Sequence, residues 1–322
     1  MTAQIQQRQG APGARILGVG GYRPRRRVTN HELAQVMDTN DEWIQTRVGI
    51  AERRWAEKDE TLVEMAVAAG GKALAASGLD PDEVDLVVLA SASLRDPIPG
   101  IGPQVAHRLG IPRPGAFDLN AGCAGFCYAL GVASDAIRAG SARNALVVGV
   151  ERLTDVTDLA DRSTAVIFAD GAGAAVVGAA EQPGIGPVVW GSDGTKAAAI
   201  HVPDRAGLMV MDGQAVFRWA TTKMGGVALE ACRRAGVTPK EIAVVVPHQA
   251  NLRIVDAIVR QLGAPDAVVA RDIVHSGNTS AASVPLALSR LIEQGEARTG
   301  DPVLVLAFGA GLTFAGQVVA CP

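Results

Sequence analysis

Aromatic residues are scarce in this chain. Phe, Trp and Tyr together make up 4% of its 322 residues, too few for a binding face built on stacked rings. Charge of one sign is missing as well: the net charge is −3 at neutral pH, which excludes the basic footprint of a nucleic-acid protein. Cysteine is limited to Cys123, Cys127, Cys232 and Cys321, none of them in a CxxC pair, so no disulfide framework is expected. The opening residues MTAQIQQRQGAPGA hold no apolar stretch of the signal-peptide kind and read as a loose tail. Only Pro302 to Pro322 runs without charge for long enough to span a bilayer. Gly309, Gly311, Gly316 and Gln317 interrupt it, however, with β-branched clusters on either side. Two buried strands joined by a glycine turn are predicted there. Motifs for phosphate and metal are lacking too. No GxxxxGK[ST] loop occurs, and Asp170-Gly171-Ala172-Gly173 reads as a tight turn rather than a dinucleotide fingerprint. The five histidines (His31, His107, His201, His248 and His275) show neither HxxxH nor HExxH spacing, so no metal site is expected. These absences describe a soluble, cytoplasmic protein without nucleic-acid or membrane partners.

What the chain does have is apolar bulk: 48% hydrophobic residues against 20% charged, ample for a buried core. Alanine, valine, leucine and glycine dominate, a mix suited to helices layered closely on sheets. Basic residues cluster at Arg25–Arg27 and at Arg53–Arg54; such groups form solvated surface or meet an anionic ligand.

The chain is also written twice. Ser77-Gly78-Leu79-Asp80-Pro81-Asp82-Glu83-Val84, followed by DLVVLASA, matches Ala235-Gly236-Val237-Thr238-Pro239-Lys240-Glu241-Ile242, followed by AVVVPHQA. Each copy is a helix ending at Gly, a Pro turn and an apolar strand. The first helix opens with Thr61 and Glu64 at capping-box spacing and runs to about Ser77. Its counterpart is expected from about Ala220 to Ala235. A second pair follows: the stretch around AFDLNAGCAGF and the stretch around RDIVHSGNTSAAS each give strand, turn, helix, Gly stop and strand. The alternation predicts an α/β fold with both faces of its sheets covered. A repeat near half the chain length means two related units. The pattern breaks at Glu181–Gly186, dividing the chain into residues 1–183 and 184–322.

Three residues stand where this organisation can bring them together. Cys123 lies in Asn120-Ala121-Gly122-Cys123-Ala124-Gly125-Phe126, whose small residues allow the sharp strand-to-helix turn that presents nucleophiles. A thiol there feels the positive end of the helix dipole, which lowers its pKa. Cys127, one helical turn on, faces packing. His248 directly follows the second copy of the repeated strand, and strand carboxyl ends are where open α/β folds place ligands. Asn278, in Gly277-Asn278-Thr279-Ser280, stands in the second unit nearly where Cys123 stands in the first. Each alone has an ordinary explanation as a core or turn residue. Their combination is what points to chemistry.

At these residues the sequence resembles β-ketoacyl-acyl-carrier-protein synthase III of the actinobacterial style. The resemblance runs from about Ala14 to the C-terminus and rests on Asp41-Glu42-Trp43-Ile44-Gln45-Thr46-Arg47-Val48-Gly49-Ile50, AGCAGF, VFRWA, PHQANLRI, GNTSAAS and FGAGLTFAG, in that order. It implies a thiolase fold, two α/β halves whose mixed sheets are sandwiched by helices in five layers (αβαβα), and a homodimer. It implies that Cys123 is acylated by a short acyl-CoA, a two-step route with ping-pong kinetics. His248 and Asn278 then hydrogen-bond the thioester carbonyl of a malonyl-carrier-protein substrate, stabilising the enolate left by decarboxylation. The backbone N–H groups of Cys123 and Ala310 hold the second oxyanion, and Phe308 packs beside the thiol. Trp43 lies against the CoA adenine, Arg47 and Arg162 near its phosphates, and Asn251 and Phe217 along the pantetheine tunnel. Arg218, Arg253 and Arg260 meet the acidic carrier protein; Arg253 and Arg260 are seven residues apart and share one helix face. Acyl-CoA is a substrate, and no resident cofactor or metal is implied.

The chain departs from the family's pattern in four places. Residues Gly194 to Gly213 form a shorter stretch than usual over the active site. Ile98 replaces a bulky aromatic or Thr at the position that reaches the partner's acyl pocket. The stretch Ala92–Pro103 is unusual, and Val48 stands for a more typical Thr. These changes bear on primer size, lid and CoA contacts, not on the trio. Three rivals are weighed against condensation. An acyltransferase of the same fold often alters the Asn position, whereas Asn278 is present. A non-catalytic partner subunit lacks the nucleophile, whereas Cys123 is present. A degradative thiolase needs a second cysteine in the last glycine turn, which here reads Phe308-Gly309-Ala310-Gly311.

Overall fold

A computed structural model describes residues 4–5, 9–204 and 206–322. The written-twice sequence folds into two five-stranded sheets of one design. In the first the spatial order is Gly13–Tyr22, Asp170–Ala180, Asn144–Arg152, Leu86–Ala90, Gly115–Leu119; in the second it is Val189–Ser192, Thr313–Ala320, Pro302–Gly309, Val244–Pro247, Val268–Val269. In both, the first three strands alternate in sense and the last two run parallel to the third.

The strands read as unbroken apolar runs because both faces are buried. Along Leu86–Ala90, Val88 and Ala90 face one cluster while Val87 and Leu89 face another, the period-2 alternation of a pleated strand. The helices Gly125–Arg138 and Ser283–Glu293 lie between the sheets in one shared core. Outside the first sheet pack Leu62–Ser77 and Gly102–Arg108; outside the second pack Gly213–Ala235 and Leu252–Leu262. Helix, sheet, helix, sheet, helix is therefore the layering. Each fully buried Val, Leu or Ile contributes about 1.5–3 kcal/mol to holding it.

The helix Leu62–Ser77 is capped by Thr61, whose side chain accepts from Glu64 N–H, and it ends at left-handed Gly78. The uncharged C-terminal run is two antiparallel strands, Pro302–Gly309 and Thr313–Ala320. Among the described residues, no helix is long and apolar enough to cross a membrane.

Two expectations need correcting, and a third holds only in part. The second long helix begins at Gly213, not near Ala220, because Asp212 accepts from Ala215 N–H and caps it there. Asp170–Gly173 is the start of the strand Asp170–Ala180, not a turn. Its glycines serve close approach: a Cβ on Gly173 would stand 2.7 Å from Pro285 of a central helix. Of the two readings of the arginine clusters, solvated surface holds for Arg25–Arg27, which are exposed, while Arg53 follows neither. Arg26–Thr29 pairs with Glu52–Trp55 as a ribbon, where Arg25 meets Asp59 at 2.6 Å and Arg27 meets Glu52 at 3.0 Å. Arg53 is fully buried and donates to Asn30 Oδ1 and to the carbonyls of Val28 and Val166.

Candidate active site

The sheets' layout brings the strand ends of the two halves to one cavity. Its walls are mainly apolar, from residues such as Leu153, Phe168, Met209, Met211 and Ile254, and Cys123, His248 and Asn278 all face into it.

Cys123 sits two residues before the central helix Gly125–Arg138. The turn that delivers it is closed by Asn120 Oδ1, which accepts from Gly122 N–H at 3.0 Å, and needs the left-handed φ of +55° at Gly122. From the other half, the loop after Pro302–Gly309 presses against it. A Cβ on Gly309 would lie 2.4 Å from the Cys123 nitrogen. That approach aims two backbone N–H groups, those of Cys123 and Ala310, at the thiol, where both act to lower its pKa. They are outweighed. The accessible surface Cys123 keeps opens onto the apolar cavity, and desolvation pushes the thiol up to about 12, with the negative charge of Glu151 adding to the rise. The helix-dipole expectation of a lowered pKa is corrected on this ground: the resting sulfur is a thiol. Cys127 is fully buried.

His248 directly follows the strand Val244–Pro247, and its N–H donates to Leu306 O at 2.6 Å. The imidazole is buried, its Nδ1 lies 2.7 Å from Ser283 Oγ, and Phe308 meets it edge-on with ring centroids 5.2 Å apart. Burial pushes its pKa down to about 3, so it is neutral at physiological pH. Asn278 is fastened by its backbone: its N–H donates to Ile167 O and its carbonyl accepts from Ala169 N–H, both at 2.9 Å. Its side-chain Oδ1 accepts from Ser280 N–H at 2.9 Å, so Nδ2 is the atom left to donate. The site thus offers a sulfur nucleophile, two backbone donors at that sulfur, and two side-chain groups suited to donating to an oxygen.

Residues predicted for a CoA-like ligand gather beside this cavity. Arg162 lies over the Trp43 ring at 4.6 Å and Arg47 at 5.8 Å. Asn251 caps the helix Leu252–Leu262 and donates from Nδ2 to Arg47 O at 3.1 Å. Phe217 and Asn251 line the cavity. Arg253 stacks on Phe217 at 5.0 Å, while Arg218 and Arg260 are exposed on neighbouring helices. Ile98 is 85% exposed and does not line the cavity of its own chain. The shortened stretch Gly194–Gly213 still covers the site: a small hairpin, Ile200–His201 with Val210–Met211, supplies Ile200 and Met211 to the wall.

Sequence reasoning missed Ser283, Gln249 and Glu151. Gln249 braces the turn beside His248, donating from Nε2 to Pro247 O at 2.6 Å and accepting from Ile273 N–H at 3.1 Å. Glu151 is fully buried and accepts from Ala92 N–H, Ser93 N–H, Ser93 Oγ and Ala281 N–H. Burial raises its pKa. A carboxylate ending an apolar strand was the available signal for it.

Comparisons with known proteins agree on one group. Two family models match: 3-oxoacyl-[acyl-carrier-protein] synthase III over residues 117–194, and the C-terminal model of the same family over residues 232–321. A β-ketoacyl-[acyl-carrier-protein] synthase III of Streptomyces coelicolor is 53% identical, over 96% of this chain and 99% of that protein. One from Mycobacterium avium is 48% identical over 99% of both. Among solved structures, the priming β-ketosynthase of the R1128 polyketide pathway superposes with a TM-score of 0.96 at 48% identity, covering 99% of each chain.

Proposed function

The chain belongs to the 3-oxoacyl-[acyl-carrier-protein] synthase III family, and from that premise we propose that Cys123, His248 and Asn278 carry out its condensation. It is an acyltransferase of the condensing type. It joins an acyl-CoA primer to malonyl-acyl-carrier protein with loss of CO2, at the initiation of fatty-acid or polyketide synthesis.

In the first half-reaction the Cys123 sulfur attacks the acyl-CoA carbonyl. The C–S bond to CoA breaks, the acyl group stays on Cys123, and CoA leaves as a thiol carrying the proton from Cys123. The N–H groups of Cys123 and Ala310 hold the oxyanion, and the proton that the Cys123 sulfur loses as it bonds to carbon ends on the departing CoA sulfur. In the second half-reaction the malonyl thioester places its carbonyl oxygen against His248 and Asn278. Its carboxylate departs as CO2, the electron pair moves into the enolate, and the neutral imidazole and the amide N–H stabilise the new charge. The enolate carbon then attacks the acyl-Cys123 carbonyl, the C–S bond breaks, and the Cys123 thiolate takes up a proton. The product is a β-ketoacyl group on the carrier. The observation that carries this reading is the convergence of backbone donors on the sulfur and side-chain donors on a second position of the same cavity.

Trp43, Arg47 and Arg162 suit the nucleotide end of CoA, and Asn251 and Phe217 its arm. Arg218, Arg253 and Arg260 present positive charge for an acidic carrier protein. No resident cofactor enters this scheme. We read the enzyme as a cytoplasmic homodimer. The strand Gly115–Leu119 ends its sheet with Phe117 exposed, an edge that a second copy can cover, and Ile98 stands exposed where a partner's pocket could take it.

Intact-protein mass spectrometry tests the reading. Mixed with a panel of acyl-CoAs, the enzyme gains one acyl mass that Cys123→Ala does not, and malonyl-carrier protein then releases a β-ketoacyl product and CO2. Acylation without decarboxylation would turn the assignment toward simple acyl transfer. No acylation by any donor would refute it.

A further inference from the structure

We propose that the Ser283 hydroxyl sets the tautomer of His248, donating to Nδ1 so that the ring's single proton stands on Nε2, facing the cavity. The inference rests on the condensing role proposed for His248. A neutral imidazole has one N–H and one bare nitrogen. Only the tautomer with its hydrogen on the cavity side can donate to an enolate oxygen; the other presents a lone pair and repels it. Something must choose between them.

Ser283 makes the choice by hydrogen-bond arithmetic. It begins the central helix Ser283–Glu293, is 1% exposed, and its Oγ lies 2.7 Å from His248 Nδ1. Its oxygen already accepts from Gln249 N–H, at 3.4 Å. Were Nδ1 to donate as well, the serine's own hydrogen would need another buried acceptor. Among the described residues no other acceptor is bonded to it. With the hydroxyl donating to Nδ1, all the groups are satisfied at once. Gln249 Nε2 and Oε1, fixed on Pro247 O, Ala270 O and Ile273 N–H, hold the Gln249 N–H that keeps the serine oxygen oriented. Phe308 packs on the ring's edge, so the imidazole cannot turn over freely. Ser283 touches no substrate; it is a positioning residue.

The test combines 15N NMR of histidine-labelled enzyme with kinetics of Ser283→Ala. The His248 signals are identified by their loss in His248→Gln. The wild-type enzyme is expected to show a bare Nδ1 and a protonated Nε2. In Ser283→Ala the tautomers mix, and kcat for decarboxylation of the malonyl carrier falls roughly 10- to 100-fold, by analogy with partners that orient metal-bound imidazoles. KM and the rate of Cys123 acylation hold within about twofold, since neither depends on the tautomer. A protonated Nδ1 in the wild type overturns the proposal whether or not the variant folds. So does an unshifted tautomer or an unchanged decarboxylation rate in Ser283→Ala. Should the wild-type enzyme acylate but never decarboxylate, the condensing role itself fails, while the spectrum still judges what Ser283 does to the ring.

Discussion

The two halves share strand order and sense but not chemistry, and one pair of positions shows where they parted. Leu86 pairs with Ala145 in the first sheet as Val244 pairs with Val303 in the second. Counting six residues on from Ala145 and from Val303 reaches Glu151 in one half and Gly309 in the other. Each presses on the turn of the opposite half. Glu151 takes N–H groups from Ala92, Ser93 and Ala281 and so ties the asparagine turn. Gly309 gives the cysteine turn bare backbone at van der Waals contact. A carboxylate builds a rigid anchor, whereas a missing side chain lets donors reach the sulfur. The same contrast holds one strand over, where the repeat sets Ala90 against His248. Duplicated architecture supplies equivalent strand ends, and function follows from making them unequal.

The sharpest way to break the contrast is Gly309→Ala. Its Cβ would collide with the Cys123 backbone, so acylation and condensation should both drop, by on the order of 10²–10³, as when an oxyanion donor is lost. Acyl-adduct formation by mass spectrometry reads the first step; a drop in condensation alone would mean the backbone donors do not serve acylation.

Asn278→Ala acts on the other side of the comparison. Condensation is expected to fall on the order of 10²-fold while acylation of Cys123 continues, and stopped-assay product analysis separates the two. Equal loss of both steps would contradict the division of labour.

The halves also differ in how pH reaches them. His248 is neutral down to about pH 3, so condensation by pre-acylated enzyme should show no inflection near the ordinary histidine value. The thiol of Cys123, raised to about 12, should be alkylated ever faster as pH climbs past the usual thiol range. Stability carries the signature of His248 as well. The unfolded chain protonates this ring near 6.5 and the folded one not until about 3. Its contribution is therefore complete above 6.5 and lost as the pH falls from there toward 3; denaturant melts of wild type and His248→Gln across that window measure it.

The smallest effect is expected from Glu151→Gln. Removing the charge lowers the Cys123 pKa from about 12, because that charge is one of its causes. The amide also sets an N–H against backbone donors that a carboxylate accepted, costing about 1–3 kcal/mol of stability. Alkylation rates against pH and urea melts test the two halves of this statement.

Much of this was legible beforehand, and the reasons are local. The repeated strands announce themselves as short apolar runs between Gly and Pro. The nucleophile stands in a run of small residues, and the glycine turn before Leu312 is written as Gly-Ala-Gly. What the sequence hides are contacts made only when distant segments meet. Ser283 is 35 residues from His248 and looks like one more small helix-opening residue. Arg53 reads as surface charge until Asn30 and Val166 surround it. The thiol's raised pKa is invisible in the sequence because a turn displays its dipole but not its dryness. Gly171 and Gly173 read as a turn because a glycine needed for close packing looks the same in sequence as one needed for bending.

The segment Val166–Ala169 carries a consequence of its own. At one end its Val166 carbonyl accepts from buried Arg53, which also holds Asn30; Asn30 in turn donates to Asp41, at the head of the helix bearing Trp43 and Arg47. At the other end the segment grips Asn278 on both sides of its backbone. The helix that carries Trp43 and Arg47 and the turn that carries Asn278 are thus surveyed from one benchmark. The span between that helix and that turn is set by the scaffold and is indifferent to whatever acyl group enters the cavity.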